Sequence, residues 1–217
     1  MIERHIHSAQ TDDPGPEEPA ATRERLRALF PRGATRRMTQ LGLLLGGVLD
    51  PVRPAEEDAL IYASSYGESR ALHEYLASFP TASPTLFQTS IHPSAVQQVL
   101  VTRQQPVREF LPFGGRAQIV AHAAQAALLS PAGRSIFCGG EERHVPPGTT
   151  TAASPIGFAF ALALSPAAVG SLGTLRLTES DDAGGELALP EFFLALRQRR
   201  AIDQAAAPGL RLTLAWH

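Results

Sequence analysis

The chain has 217 residues, 44% of them hydrophobic, a formal net charge of −2 and one cysteine. That length and apolar content suffice for one substantial core. The near-balanced charge offers no basic footprint for nucleic acid, and the lone Cys138 excludes an internal disulfide. No apolar run approaches the roughly 20 residues of a membrane helix. The N-terminus lacks the basic start and apolar core of a signal peptide, so a cytoplasmic protein is expected.

Residues 1–20 read as a flexible N-terminal segment ahead of a domain over 21–217. Positions 8–20 are polar and proline-rich and cannot bury enough surface to order themselves. Ile2 and Ile6 just before them suit a short edge strand. Thr22 is the expected cap of a helix through Phe30. Thr35 is the expected cap of a second, in which Met38, Leu41, Leu44, Leu45 and Val48 keep helical spacing. Ala59–Ser64 is a short apolar strand, Gly67 ends its turn, and Glu68–Ser78 is a helix with Leu72, Tyr75 and Leu76 inward.

Pro84 and Pro93 mark bends around 85–91, and a helix runs from Ser94 to Val101. Val107–Leu111 reads as a strand. Gly115–Leu129 reads as a small-residue helix at the centre of the molecule, since Ala117, Ala121 and Ala124 allow close packing. Ser135–Cys138 is a buried strand ending at Gly139-Gly140. A loop at 143–155 follows, then a hairpin of 157–164 with 174–178. Pro190 opens a helix to Arg200, and the alternating Leu210–Trp216 is the last strand. Such alternation of strands and helices implies a layered α/β domain.

Several residues invite chemistry and have a plainer reading. Adjacent Glu141 and Glu142 read as a solvated loop. His5 and His7 have no companion ligands, so no metal is assigned. Ser64-Ser65 lacks the Gly-x-Ser-x-Gly elbow of hydrolases. Arg197, Arg199 and Arg200 read as a solvated helix end, where cations offset the dipole. Cys138, in an apolar strand, reads as a core thiol. No cofactor motif is present.

The ordered set of segments is more specific than any one of them. Arg36-Arg37-Met38-Thr39 is followed by Ala63-Ser-Ser-Tyr-Gly67-Glu68, then Ser83-Pro-Thr-Leu-Phe-Gln-Thr-Ser-Ile-His92. Phe113-Gly114-Gly115 comes next, then Cys138-Gly-Gly-Glu-Glu142 and the apolar Phe158–Ser165. Gly139 stands 25 residues after Gly114. This set resembles the stand-alone, half-length ketosynthase-like family, the chain-length factors of aryl polyene clusters. Members are similar only to the N-terminal half of a β-ketoacyl synthase. The resemblance covers about residues 25–165. Pro93 departs from the family's usual Asn, as do Val96-Gln97 and the polar approach Gln104–Arg108.

The resemblance implies a thiolase-like fold in a single half, a layered α-β-α arrangement with a mixed sheet. It puts Gly114 where a ketosynthase carries its nucleophilic cysteine, at a turn facing a helix N-terminus. No catalytic residue is therefore assigned, because acyl transfer through a thioester needs an activated nucleophile. What the resemblance implies instead is a heterodimer with an active β-ketoacyl synthase in polyene, polyketide or fatty-acid-type assembly, with an acyl carrier protein as a further partner. Strand 107–111 would pair across the dimer axis. Phe110, Phe113, Gly114 and His92 would form the tunnel and interface set, with His92 ordering a turn. Two other readings stay open: an acyl-thioester hydrolase or acyltransferase using His92 with Ser90 or Ser94, and a purely structural scaffold.

Overall fold

The structure, a computed structural model, describes residues 1–144, 153–182 and 184–217. Its elements in chain order are β1 (Ile2–Asp12), α1 (Pro19–Leu26), α2 (Gln40–Val52), β2 (Ala59–Ser64), α3 (Ser69–Ala77), α4 (Pro84–Ser90) and α5 (Ser94–Arg103). These are followed by β3 (Glu109–Gly114), α6 (Ile119–Leu129), β4 (Ser135–Glu141), β5 (Phe158–Ser165), β6 (Gly173–Glu179), α7 (Leu189–Arg197), β7 (Ile202–Ala207) and β8 (Leu210–Trp216). The strands form one mixed sheet in the order β3-β2-β4-β5-β1-β6-β8-β7. β2 runs parallel to β3 and β4, and the remaining pairs are antiparallel.

Period-two alternation divides the core into two layers. Ile61, Phe137, Phe160 and Leu162 face α6 and α7, with Phe192 stacked on Phe137. Leu60, Tyr62, Ile136 and Cys138 face α2 and α5. On this second side β5 presents Ala159, Ala161 and Ala163, so α2 lies close against it. Gly139 and Gly140 are required by packing. A Cβ there would stand 2.5 Å from the Ala63 carbonyl oxygen and 2.4 Å from that of Phe158. The α/β layering and mixed sheet expected from the sequence are present.

Several local expectations are corrected. Residues 1–20 do not form a flexible lead-in: β1 is an interior strand, pairing with β5 and β6. It pairs with β6 over Ile2–Ile6 and with β5 over His5–Asp12, with both neighbours at His5 and Ile6, a pairing that composition alone does not reveal. Buried Arg4 pins it further, donating to the carbonyls of Leu128, Ser130 and Ala132 at the end of α6. β1 also separates β5 from β6, so the expected hairpin does not exist. Thr22 lies within α1 and donates to Glu17 at 2.9 Å. The cap of α2 is Thr39, which accepts from the Gly42 N–H, and not Thr35. The segment after Pro84 is helical, with Pro84 in the first turn and Ser83 accepting from the Leu86 N–H. β7 was not anticipated. The expected 143–155 loop lies mostly outside the described residues.

Candidate functional site

The site is assembled where β3, an edge strand, runs out beside β2. Gly114 ends β3 in register with Ser64 at the end of β2. Ser64 donates to Glu141 at 3.0 Å, and the N–H groups of Ser65 and Tyr66 donate to the same carboxylate. The Gly67 N–H returns to the Ser64 hydroxyl at 2.9 Å. Glu141 thus ties the ends of β4 and β2 into one turn. The solvated-loop reading of Glu141 and Glu142 is overturned, since they are 1% and 2% exposed. β4 continues past the Gly-Gly pair and carries Glu141 under the sheet end. Burial pushes Glu141 up to about 7, against the hydrogen bonds from Ser65, Ser64 and Tyr66 that pull it down. Burial also pushes Glu142 up to about 7, partly offset by Arg70.

His92, between α4 and α5, closes the other side. Its ring stacks on Tyr62 with centroids 5.2 Å apart. Nδ1 lies 3.3 Å from Oε2 of buried Glu68, within ion-pair reach but out of hydrogen-bond alignment. The other Glu68 oxygen accepts from the Ala95 N–H at 2.8 Å, fixing the start of α5. A cavity of about 260 Å³ opens here, lined by Ser64, Glu68, Leu72, Ser90, His92 and Gly114 among others. A Cβ at Gly114 would sit 3.5 Å from the His92 ring, an ordinary contact. Gly114 is therefore not demanded by sterics. Gly115, at φ +114°, does need to be glycine.

The remaining sequence candidates fall as follows. Phe110 and Phe113 are both half-buried but on opposite faces of β3, Phe110 against the α2/α5 layer and Phe113 against the α6/α7 layer. They do not form a common wall. Ser90 donates to the Phe87 carbonyl and Ser94 to that of Thr89, each at 2.8 Å. Among the described residues no hydrogen bond joins either serine to His92. Cys138 is fully buried, and desolvation raises its thiol well above the ordinary range. Among the described residues no group of three or more His, Cys, Asp or Glu is placed to hold a metal, and no helix is long and apolar enough to cross a membrane.

Three features escaped the sequence reading. Glu186 accepts from the Gln118 N–H at 2.7 Å, putting a carboxylate at the start of α6. Leu72 and Leu76, expected inward, are 45% and 58% exposed, and Phe79 and Phe87 are exposed beside them. α3 packs on α4 at the rim of the fold, so its apolar stripe has no core to enter. A separate groove of about 490 Å³ is lined by Arg23, Arg36, Arg37 and Arg70, with Glu142 at its base.

No protein-family model and no curated protein matches the chain. Solved structures do. At 19% identity and a TM-score of 0.71, the chain superposes over 99% of its length on 100% of a chain from the ketosynthase ApeO in complex with its chain length factor ApeC, from Xenorhabdus doucetiae. The ishigamide ketosynthase/chain length factor matches at 12% identity and a TM-score of 0.55, over 84% of this chain and 69% of its own. A β-ketoacyl synthase from Burkholderia phymatum matches at 13% and 0.53, over 83% of this chain and 65% of its own. The chain therefore has the thiolase-like fold of ketosynthases. Its near-complete mutual coverage with one chain of the ApeO–ApeC complex puts that fold in a half-length form, in agreement with the sequence resemblance.

Proposed function

We propose that the chain is a noncatalytic chain-length-factor subunit pairing with an active β-ketoacyl synthase in polyene, polyketide or fatty-acid-type assembly. One observation carries the reading. The edge strand β3 delivers Gly114, not a nucleophile, to the turn beside His92. Condensation needs a thiolate held by positive potential. Here the sole thiol is buried elsewhere, and Glu186 supplies negative charge at the start of α6. What remains is surface. β3 exposes an unpaired edge, and Leu72, Leu76 and Phe79 are apolar groups that a partner would cover.

The arginine groove supports the acyl carrier protein as the further partner. Glu18 and Glu74 also line the groove and Arg70 is paired with Glu74, so the exposed Arg36 and Arg37 are the cations it offers to an acidic protein. The test is co-expression with an intact ketosynthase encoded nearby, followed by size-exclusion chromatography with mass determination and assay of chain extension. The expected result is a heterodimer that extends acyl chains, and a purified chain that extends none. Thioester turnover by the chain alone, abolished by His92→Ala, would instead favour the hydrolase reading.

A further inference from the structure

We infer that Pro112 makes the β3 edge select a different chain over a second copy of this one. The inference rests on the pairing role proposed above for β3. The β2–β3 register is unbroken from Glu109 to Gly114. The Ala59 N–H turns to the Arg134 carbonyl on the β4 side, so its parallel partner Glu109 turns toward β2, sharing the Asp58 carbonyl with the Arg108 N–H, and the alternate N–H groups of Leu111 and Phe113 turn toward β2 as well. Phe110, Pro112 and Gly114 then face the open edge. A proline has no N–H to give, and this outward position is where a strand tolerates one.

The open edge consequently offers donors at Phe110 and Gly114 and acceptors at Phe110, Pro112 and Gly114, with one donor missing in the middle. Two copies pairing antiparallel about a two-fold axis each bring that gap. The ladder then lacks two hydrogen bonds, and with the axis at Pro112 the two rings face each other with neither donating. A partner strand free of proline meets the gap once. The distinction matters because the surroundings favour association without regard to identity. Leu111 is exposed on the strand, and Leu72 borders the cavity that Gly114 lines. An apolar open edge of this kind is prone to self-pairing unless something interrupts it.

The test compares the wild type with Pro112→Thr and Pro112→Ala, each of which restores the N–H, the second without a β-branched side chain. Homodimer dissociation constants are measured by sedimentation on the chain alone, and heterodimer constants with the ketosynthase. Two restored ladder bonds should tighten the homodimer roughly thirtyfold, and one restored bond the heterodimer about fivefold. Equal changes in both, or an unchanged homodimer in both folded variants, would overturn the inference while leaving the heterodimer reading intact. A wild-type homodimer already joined through β3, detected as protection of the Phe110 and Gly114 amides from hydrogen exchange at dimer-forming concentration, would overturn it too. A wild type that ignores the ketosynthase while Pro112→Thr homodimerises would remove the proposed partner and support the exclusion of self.

Discussion

Glu141 accepts a hydrogen bond from the Ser64 hydroxyl at 3.0 Å, joining the ends of β4 and β2 beneath the turn that packs against His92. That contact is bought with a buried carboxylate. Glu141 and Glu142 both titrate near 7 in the folded chain, raised chiefly by burial from an ordinary value of 4.5. A carboxyl group raised on folding binds protons more tightly in the native state. Its contribution is full below about pH 4.5 and is lost as pH rises through about 7. Stability should therefore fall between pH 5 and pH 8, by about 3 kcal/mol for each glutamate. Urea unfolding at several pH values measures this. Glu142→Gln should flatten the slope by its own share, and a wild-type stability that rises over this range would refute the assignment.

Gly114, proposed to stand where a ketosynthase carries its nucleophile, gives a second expectation. A Cβ at 114 meets the His92 ring at 3.5 Å, so Gly114→Cys should fold with little loss, within about 1 kcal/mol. It should nonetheless catalyse no condensation, because His92 is committed to Tyr62 and Glu68 and the start of α6 carries Glu186. In the wild type, buried Cys138 should stay unmodified by acyl-carrier thioesters. Intact-mass spectrometry and a malonyl-thioester assay check both. Stoichiometric acyl-Cys138 that turns over would overturn the noncatalytic reading.

Assembly can be probed with a charge on β3, and the structure decides where. Phe110 packs against the α2/α5 layer of its own chain, so a charge there would injure the fold before it tested the interface. Leu111 is 37% exposed and is the better site. Leu111→Asp should leave the melting temperature of the isolated chain nearly unchanged. It should weaken the heterodimer by about 3 kcal/mol or more, since a charge left unpaired in an interface is costly. Calorimetric titration against the ketosynthase reads this directly. Unaltered affinity would mean that β3 lies outside the contact.

The sequence carried the fold where apolar periodicity was strong. Ala59–Ser64 was legible to the residue, and Ser94 marked the start of α5, because apolar runs with clear boundaries leave few alternatives. The N-terminal strand was legible only at Ile2 and Ile6; its run to Asp12 and its interior place were hidden because residues 7–12 are polar or small and held mainly by backbone pairing, which composition does not report. Leu72 and Leu76 were misplaced because helical periodicity identifies an apolar face without saying what covers it. The burial of Glu141 and Glu142 depends on β4 running beyond Gly139-Gly140, where a turn was the local expectation. Gly114 and His92 were both singled out, but their proximity across 22 residues of chain is a tertiary fact.

Product length supplies the remaining expectation. Phe113 immediately precedes the glycine turn on the edge strand and is only half-buried in its own chain, so part of its ring is open to a partner. If the exposed part limits a tunnel in the paired ketosynthase, Phe113→Ala should lengthen the acyl product and Phe113→Trp shorten it. Each methylene accommodated is worth about 0.8 kcal/mol at full burial. Room for two carbons would then shift the elongation balance roughly tenfold, since about 1.4 kcal/mol is one decade. The ring also packs toward α6, so Phe113→Ala should lower the stability of the chain by about 2 kcal/mol, less than a fully buried phenylalanine would. The complex must accordingly be shown intact before products are compared. Phe110→Leu serves as the control, since Phe110 lies on the opposite face of β3 and should leave the products unchanged. The measurement is the chain-length distribution from the reconstituted ketosynthase, this chain, a carrier protein and the reductive enzymes. Identical distributions for both Phe113 variants in an intact complex would remove the tunnel role and leave the chain as a scaffold for its partner.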